Sequence, residues 1–92
     1  MHVLMIGQVT GKEYTELQLQ EEGVFIANAK AEGLVQELFL KADQTGPVLI
    51  LAGVTADQAW ERMAGLPFIV QDIATFDYIE MIPRQLVSQP TK

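Results

Sequence analysis

The stretch FDYIEMIP, Phe76 to Pro83, sets a phenol and a carboxylate two residues apart, Tyr78 and Glu80. On an extended strand residues i and i+2 share a face, so both would look the same way, with Phe76 and Ile82 beside them. A carboxylate among aromatic and aliphatic groups loses hydration, its pKa rises, and it becomes fit to take and return a proton. An isomerisation that moves a double bond needs only that shuttle. The Tyr78 hydroxyl would orient a substrate oxygen or stabilise an enolate. The structural alternatives are a rim carboxylate paired with Lys or Arg, and an interface tyrosine with its hydroxyl in water. No Arg or Lys lies within the strand, so the expectation for Glu80 is an unpaired carboxyl with a raised pKa. Asp77 falls on the opposite face with Thr75 and Ile79, away from any pocket built around Glu80.

Four further residues complete the candidate set. Glu37 is the charged residue of the second strand, flanked on its expected face by Val35 and Phe39, and could pair with Glu80 as two carboxylates of split pKa. His2 is the single histidine and shares a face with Leu4, Ile6 and Gln8; it is an acid–base candidate or a solvated terminal residue. The Gln8 amide could hold a ligand at the strand end. Trp60, on the second helix, would stack on a flat ligand or pack in the core. One histidine and no cysteine leave only carboxylates for a metal, without close ligand spacing, so no metal and no cofactor are expected. Gly7 and Gly11 lack the spacing of a phosphate-binding loop.

The composition narrows the partners. A net charge of −6 with six scattered basic residues disfavours nucleic acid and anionic membrane surfaces. No run approaches the ~20 apolar residues of a membrane span. The N-terminus, apolar but without a basic leader, reads as a first strand, and the expected setting is the cytoplasm. At 92 residues this is one domain with a thin core, yet 49% of its residues are hydrophobic. Apolar surface that one small domain cannot hide is hidden in an oligomer.

The elements that must position the candidates follow from periodicity and turn chemistry. His2–Val9 is a β-rich run stopped by TGKE. Tyr14 to Gly33 is helical in composition. Tyr14, Leu17, Val24, Asn28 and Ala31 form an expected inward stripe, and Leu19 and Ile26 a second stripe suited to another subunit. Gly23 is a weak point where the helix would bend or begin, and Gly33 is a C-terminal stop. Leu34–Lys41 is a strand, Asp43–Gly46 a turn with Gly46 at positive φ, and Pro47 opens the next strand. Val48–Val54 is unbroken apolar, the pattern of a strand covered on both faces. Thr55 to Gln58 has capping-box spacing and starts a helix ending near Gly65, with Ala56, Ala59, Trp60 and Met63 inward. Ile73–Ile82 is the last strand.

That order, β-α-β-β-α-β, is the ferredoxin-like α+β arrangement: a four-stranded antiparallel sheet with two helices on one face. The domain is expected over residues 1–84, with a tail at 85–92. The uncovered sheet face predicts a second copy packed against it, a barrel across a homodimer.

The chain resembles the muconolactone isomerase-like group of the dimeric α+β barrel superfamily. The resemblance rests on AEG closing the first helix, on AWERMAGLPF from Ala59 to Phe68, and on YIEMIP from Tyr78 to Pro83. The element order covers almost the whole chain; the specific motifs cover its last third. The resemblance implies a cofactor-free isomerase with Glu80 in the motif position of the proton shuttle. It also implies basic residues on the first and second strands to meet a substrate carboxylate; here those regions carry Met5, Ile6, Gln8, Glu37 and Leu40. The resulting expectation is a small homo-oligomeric α+β barrel protein that binds a small, largely apolar organic molecule, with isomerisation as its implied chemistry. The alternatives are a non-catalytic binding or interaction subunit of the same fold, and a cofactor-free monooxygenase holding an aromatic between Tyr78 and Trp60.

Overall fold

A computed structural model describes residues 1–84; the tail expected at 85–92 lies outside the described residues. The strands are β1 (His2–Val9), β2 (Val35–Leu40), β3 (Pro47–Ala52) and β4 (Ala74–Met81). The helices are α1 (Glu16–Ala31), α2 (Ala56–Met63) and a four-residue α3 (Pro67–Val70). The strands form one sheet in the order β2-β3-β1-β4, every pair antiparallel. This is the ferredoxin-like α+β fold expected from the element order. No helix among the described residues is long and apolar enough to cross a membrane.

Local chemistry fixes the helix ends. Thr15 and Thr55 each accept the N–H three residues on, while Gln18 and Gln58 accept from the threonine N–H groups, so both helices open with a capping box. At the end of α1, Gly33 turns at φ +85° and donates to Lys30 O, and Leu34 N donates to Ala29 O at 2.9 Å. These two bonds make a Schellman closure, and Leu34 and Ala29 are both buried beside it. Gly23 neither starts nor ends the helix; α1 runs through it.

The covered face of the sheet is read from the register. Val3 and Met5 of β1 sit opposite Leu51 and Leu49 of β3, and all four are fully buried. They join Ala29 of α1 and Ala59 and Met63 of α2 in one core. The other face carries Leu4, Ile6, Val48 and Ile50, all half-buried, and Ile79, 47% exposed. The unbroken apolar run of β3 thus serves a packed face and an open one.

Three sequence expectations change. The predicted inward stripe of α1 faces water: Leu17 is 63% and Val24 60% exposed, and Tyr14, Asn28 and Ala31 are exposed as well. The helix instead turns Glu22 and Ala29 inward, with Phe25 and Ile26 partly buried. Apolar residues lie all around this helix, so periodicity alone could not choose a face. Trp60 also points outward, 62% exposed, because α2 sets its small Ala59 and its Met63, i and i+4, against the sheet. Finally, the two expected helices are joined by a third, α3, between Gly65 and the last strand, with Pro67 in its first turn.

The β2–β3 turn has the expected location, and Gly46 takes the expected positive φ, +156°. Thr45 donates through its N–H and its hydroxyl to Asp43 Oδ1, which holds the Asp43 carboxyl below its ordinary range. Gln44 takes the left-handed conformation at φ 61°. Gly46 is needed for space as well as for its φ: a Cβ there would run into the Gly7 carbonyl.

Candidate functional site

The six residues singled out in the sequence fall on three separate surfaces. Tyr78 and Glu80 share the covered side of β4, opposite Met5 and Val3. His2, Gln8 and Glu37 lie on the open face, paired with Ala52, Thr75 and Ile50 respectively. Trp60 stands on the outer side of α2.

Glu80 is exposed, not set among apolar groups as expected. Its Oε1 accepts the N–H of Ala56 at 2.6 Å, in the first turn of α2. A carboxylate is favoured there by the free N–H groups and the positive end of the helix dipole. The residue ties β4 to α2. Tyr78 packs partly against the core, and burial raises its hydroxyl above the ordinary 10.0.

The Glu37–Glu80 pair does not form within the chain. β2 and β4 are the two outer strands, with β3 and β1 between them, and the two carboxylates belong to opposite faces. A register shift between Val35 and Glu37 sets Val35 against Leu51 on the covered side and Glu37 against Ile50 on the open side. Strict alternation had put Val35 and Glu37 together; the bulge separates them. Gln8 is exposed and accepts from Lys41 Nζ at 3.2 Å. Tyr78, against the core, and Trp60, facing solvent, line no common cleft.

A roomier and more apolar site lies elsewhere, between α1, the β2–β3 hairpin and α3. It is a cleft of about 560 Å³, lined chiefly by apolar groups, among them Val9, Leu19, Ile26, Leu38, Pro47 and Phe68. Tyr14 closes one side, its ring 4.9 Å from that of Phe68 and tilted by 51°. The exposed Leu19, Leu38 and Leu40 (50%, 47% and 63%) border it. The stripe of Leu19 and Ile26 therefore lines a cleft on its own chain.

Glu22 is the charged residue of this lining and the residue that sequence reasoning missed. It is 5% exposed. Its Oε1 accepts the Phe68 N–H at 3.0 Å, and its Oε2 is buried with no hydrogen-bond partner among the described residues. Burial raises the carboxyl above its ordinary 4.5, an effect the Phe68 N–H partly offsets. Two features of the sequence bear on it. Glu22 lies three and four residues before Phe25 and Ile26 and seven before Ala29, which is the inward spacing the helix uses. It also sits in the acidic run Glu21–Glu22, which reads as a solvated face until α3 is known to cover one member.

No protein-family model matches the chain, and no curated protein matches it at a significant level.

Proposed function

We propose that this protein binds a small, largely apolar organic molecule in the cleft between α1 and the β2–β3 hairpin, and that it works as a homodimer joined through its open sheet faces. The observation that carries the reading is the cleft itself: about 560 Å³, apolar in most of its lining, with leucines standing half in water around it. Concave apolar sites of this size with few polar groups are the usual form of small-molecule pockets. Self-association is supported by the run of half-exposed aliphatic residues across β1, β3 and β4. The element order, Gly65–Phe68 and Ile79–Pro83 support membership of the muconolactone isomerase-like group. The charge of −6 supports a partner other than nucleic acid, and the lack of cysteine agrees with a cytoplasmic setting.

The test is an amide-resolved NMR titration with butylbenzene as the apolar probe. Shifts gathered on Leu19, Glu22, Ile26 and Phe68 are the expected result; a saturable response confined to other residues, or none, overturns the cleft assignment. Sedimentation equilibrium tests the dimer. A 10.2 kDa species at micromolar concentration would sink it.

One observation favours a catalytic form of this reading. The cleft holds a desolvated carboxyl, and proton transfer between two positions of one substrate requires little more. In that form the shuttle is Glu22, and Glu80 serves as the structural tie between β4 and α2.

A further inference from the structure

Resting on the cleft as the ligand site, we infer that Glu22 is its polar anchor and that the ligand is a neutral molecule carrying a hydrogen-bond acceptor oxygen, such as a ketone, which receives the proton of Glu22 Oε2. The hydrogen bonding of the two carboxyl oxygens leads there. Oε1 is already an acceptor, held by the Phe68 N–H. In the neutral carboxyl the proton therefore belongs on Oε2, the buried oxygen without a partner. A buried donor left unpaired is costly, so a ligand acceptor that meets it gains more than one meeting a solvated group. Glu22 is one of the residues lining the cleft, so its carboxyl stands beside any group seated there.

The lining excludes the charged alternatives. Among the described residues it holds no Lys, Arg or His to receive a carboxylate or phosphate, and Tyr14 is the only other titratable side chain of the lining. An anion would shed its hydration in an apolar cleft with no cation among the described residues to meet it. An ammonium group would have to shed its hydration among leucine and phenylalanine side chains. Burial, which favours the protonated carboxyl, acts in the same direction as this geometry.

The experiment uses four probes of one shape: 4-phenylbutan-2-one, butylbenzene, 3-phenylpropane-1-sulfonate and 3-phenylpropylammonium. Affinities are read from NMR titration of the full chain at pH 4 and pH 9. At pH 4, below the ordinary value of 4.5, the carboxyl is protonated and the ketone should bind about tenfold tighter than butylbenzene, the worth of one net buried hydrogen bond. This advantage should shrink at pH 9. Glu22→Gln, whose amide oxygen can accept from Phe68 while its NH₂ donates, should keep the advantage at both pH values. Glu22→Leu should lose it at both and still bind butylbenzene, which also shows that the variant is folded.

Equal affinity of ketone and hydrocarbon in the wild-type protein at pH 4 overturns the anchor, since Oε2 is then satisfied in another way. Tighter binding of the sulfonate or the ammonium overturns the ligand class. If none of the four probes binds, the cleft reading fails together with the anchor.

Discussion

Glu22 on α1 accepts the backbone N–H of Phe68 on α3 across 3.0 Å, joining elements 46 residues apart in the chain. One carboxylate oxygen thus receives a first-turn N–H of α3, which has no side-chain cap of its own. The other oxygen stays buried without a partner. A structural and a chemical role meet in one side chain, and the two can be separated by measurement.

The pH dependence of stability follows from the sign of the shift. The Glu22 pKa is raised in the folded chain, so the fold binds this proton more tightly than the unfolded chain does. The contribution is fully present below the ordinary value of 4.5 and is lost as pH rises through the folded value. Glu22→Gln removes this dependence. Its melting temperature relative to wild type should be more favourable at pH 8 than at pH 4.5; an equal difference at the two pH values would show that Glu22 is solvated.

Glu80 should behave as a helix-end ligand. Glu80→Ala removes the acceptor for Ala56 N–H and should lower stability by about 0.3–1 kcal/mol, with the effect reduced at high salt. Glu80→Gln retains an acceptor oxygen and should lose less. Denaturant titration at two salt concentrations is the measurement, and a salt-independent loss equal in both variants contradicts the assignment.

Two glycines should respond oppositely to replacement. Gly46→Ala drives a methyl into the Gly7 carbonyl and should cost about 1–3 kcal/mol. Gly23→Ala, in a helix with nothing within 4 Å of the new Cβ, should gain about 0.5–1 kcal/mol. Chemical denaturation midpoints of the two variants should move in opposite directions.

The open sheet face gives a test of assembly that spares the core. Leu4 lies between Ile50 and Ile79 on that face and is half-buried in the single chain. Leu4→Glu should convert the proposed dimer to a folded monomer. Sedimentation and far-UV circular dichroism read the two halves of this outcome, and a variant that remains dimeric places the interface elsewhere.

The order of elements was legible in the sequence because it is written in local chemistry. Thr55 to Gln58 caps a helix, Gly33 stops one, Asp43 to Gly46 turns a hairpin, and each works through neighbours a few residues away. The alternation of Tyr78 and Glu80 against Asp77 and Ile79 also held, since a strand's period depends on its own backbone. What failed was local reasoning applied to partners distant in sequence. The bulge at Val35–Glu37 arises in pairing with β3. The inward face of α1 was chosen by the sheet and α3, in a helix whose own residues offered no single apolar side. Glu80 was expected in an apolar pocket because its neighbours in the strand are apolar, yet it lies where β4 passes the start of α2 and finds a backbone N–H. Glu22 shows the reverse: alone in the sequence it is half of an acidic pair on a helix, and only the packing of Phe68 over it takes away its water. Composition and spacing set the elements and their order. The tertiary structure decided which carboxylate is buried, because desolvation is imposed by residues that come from far along the chain.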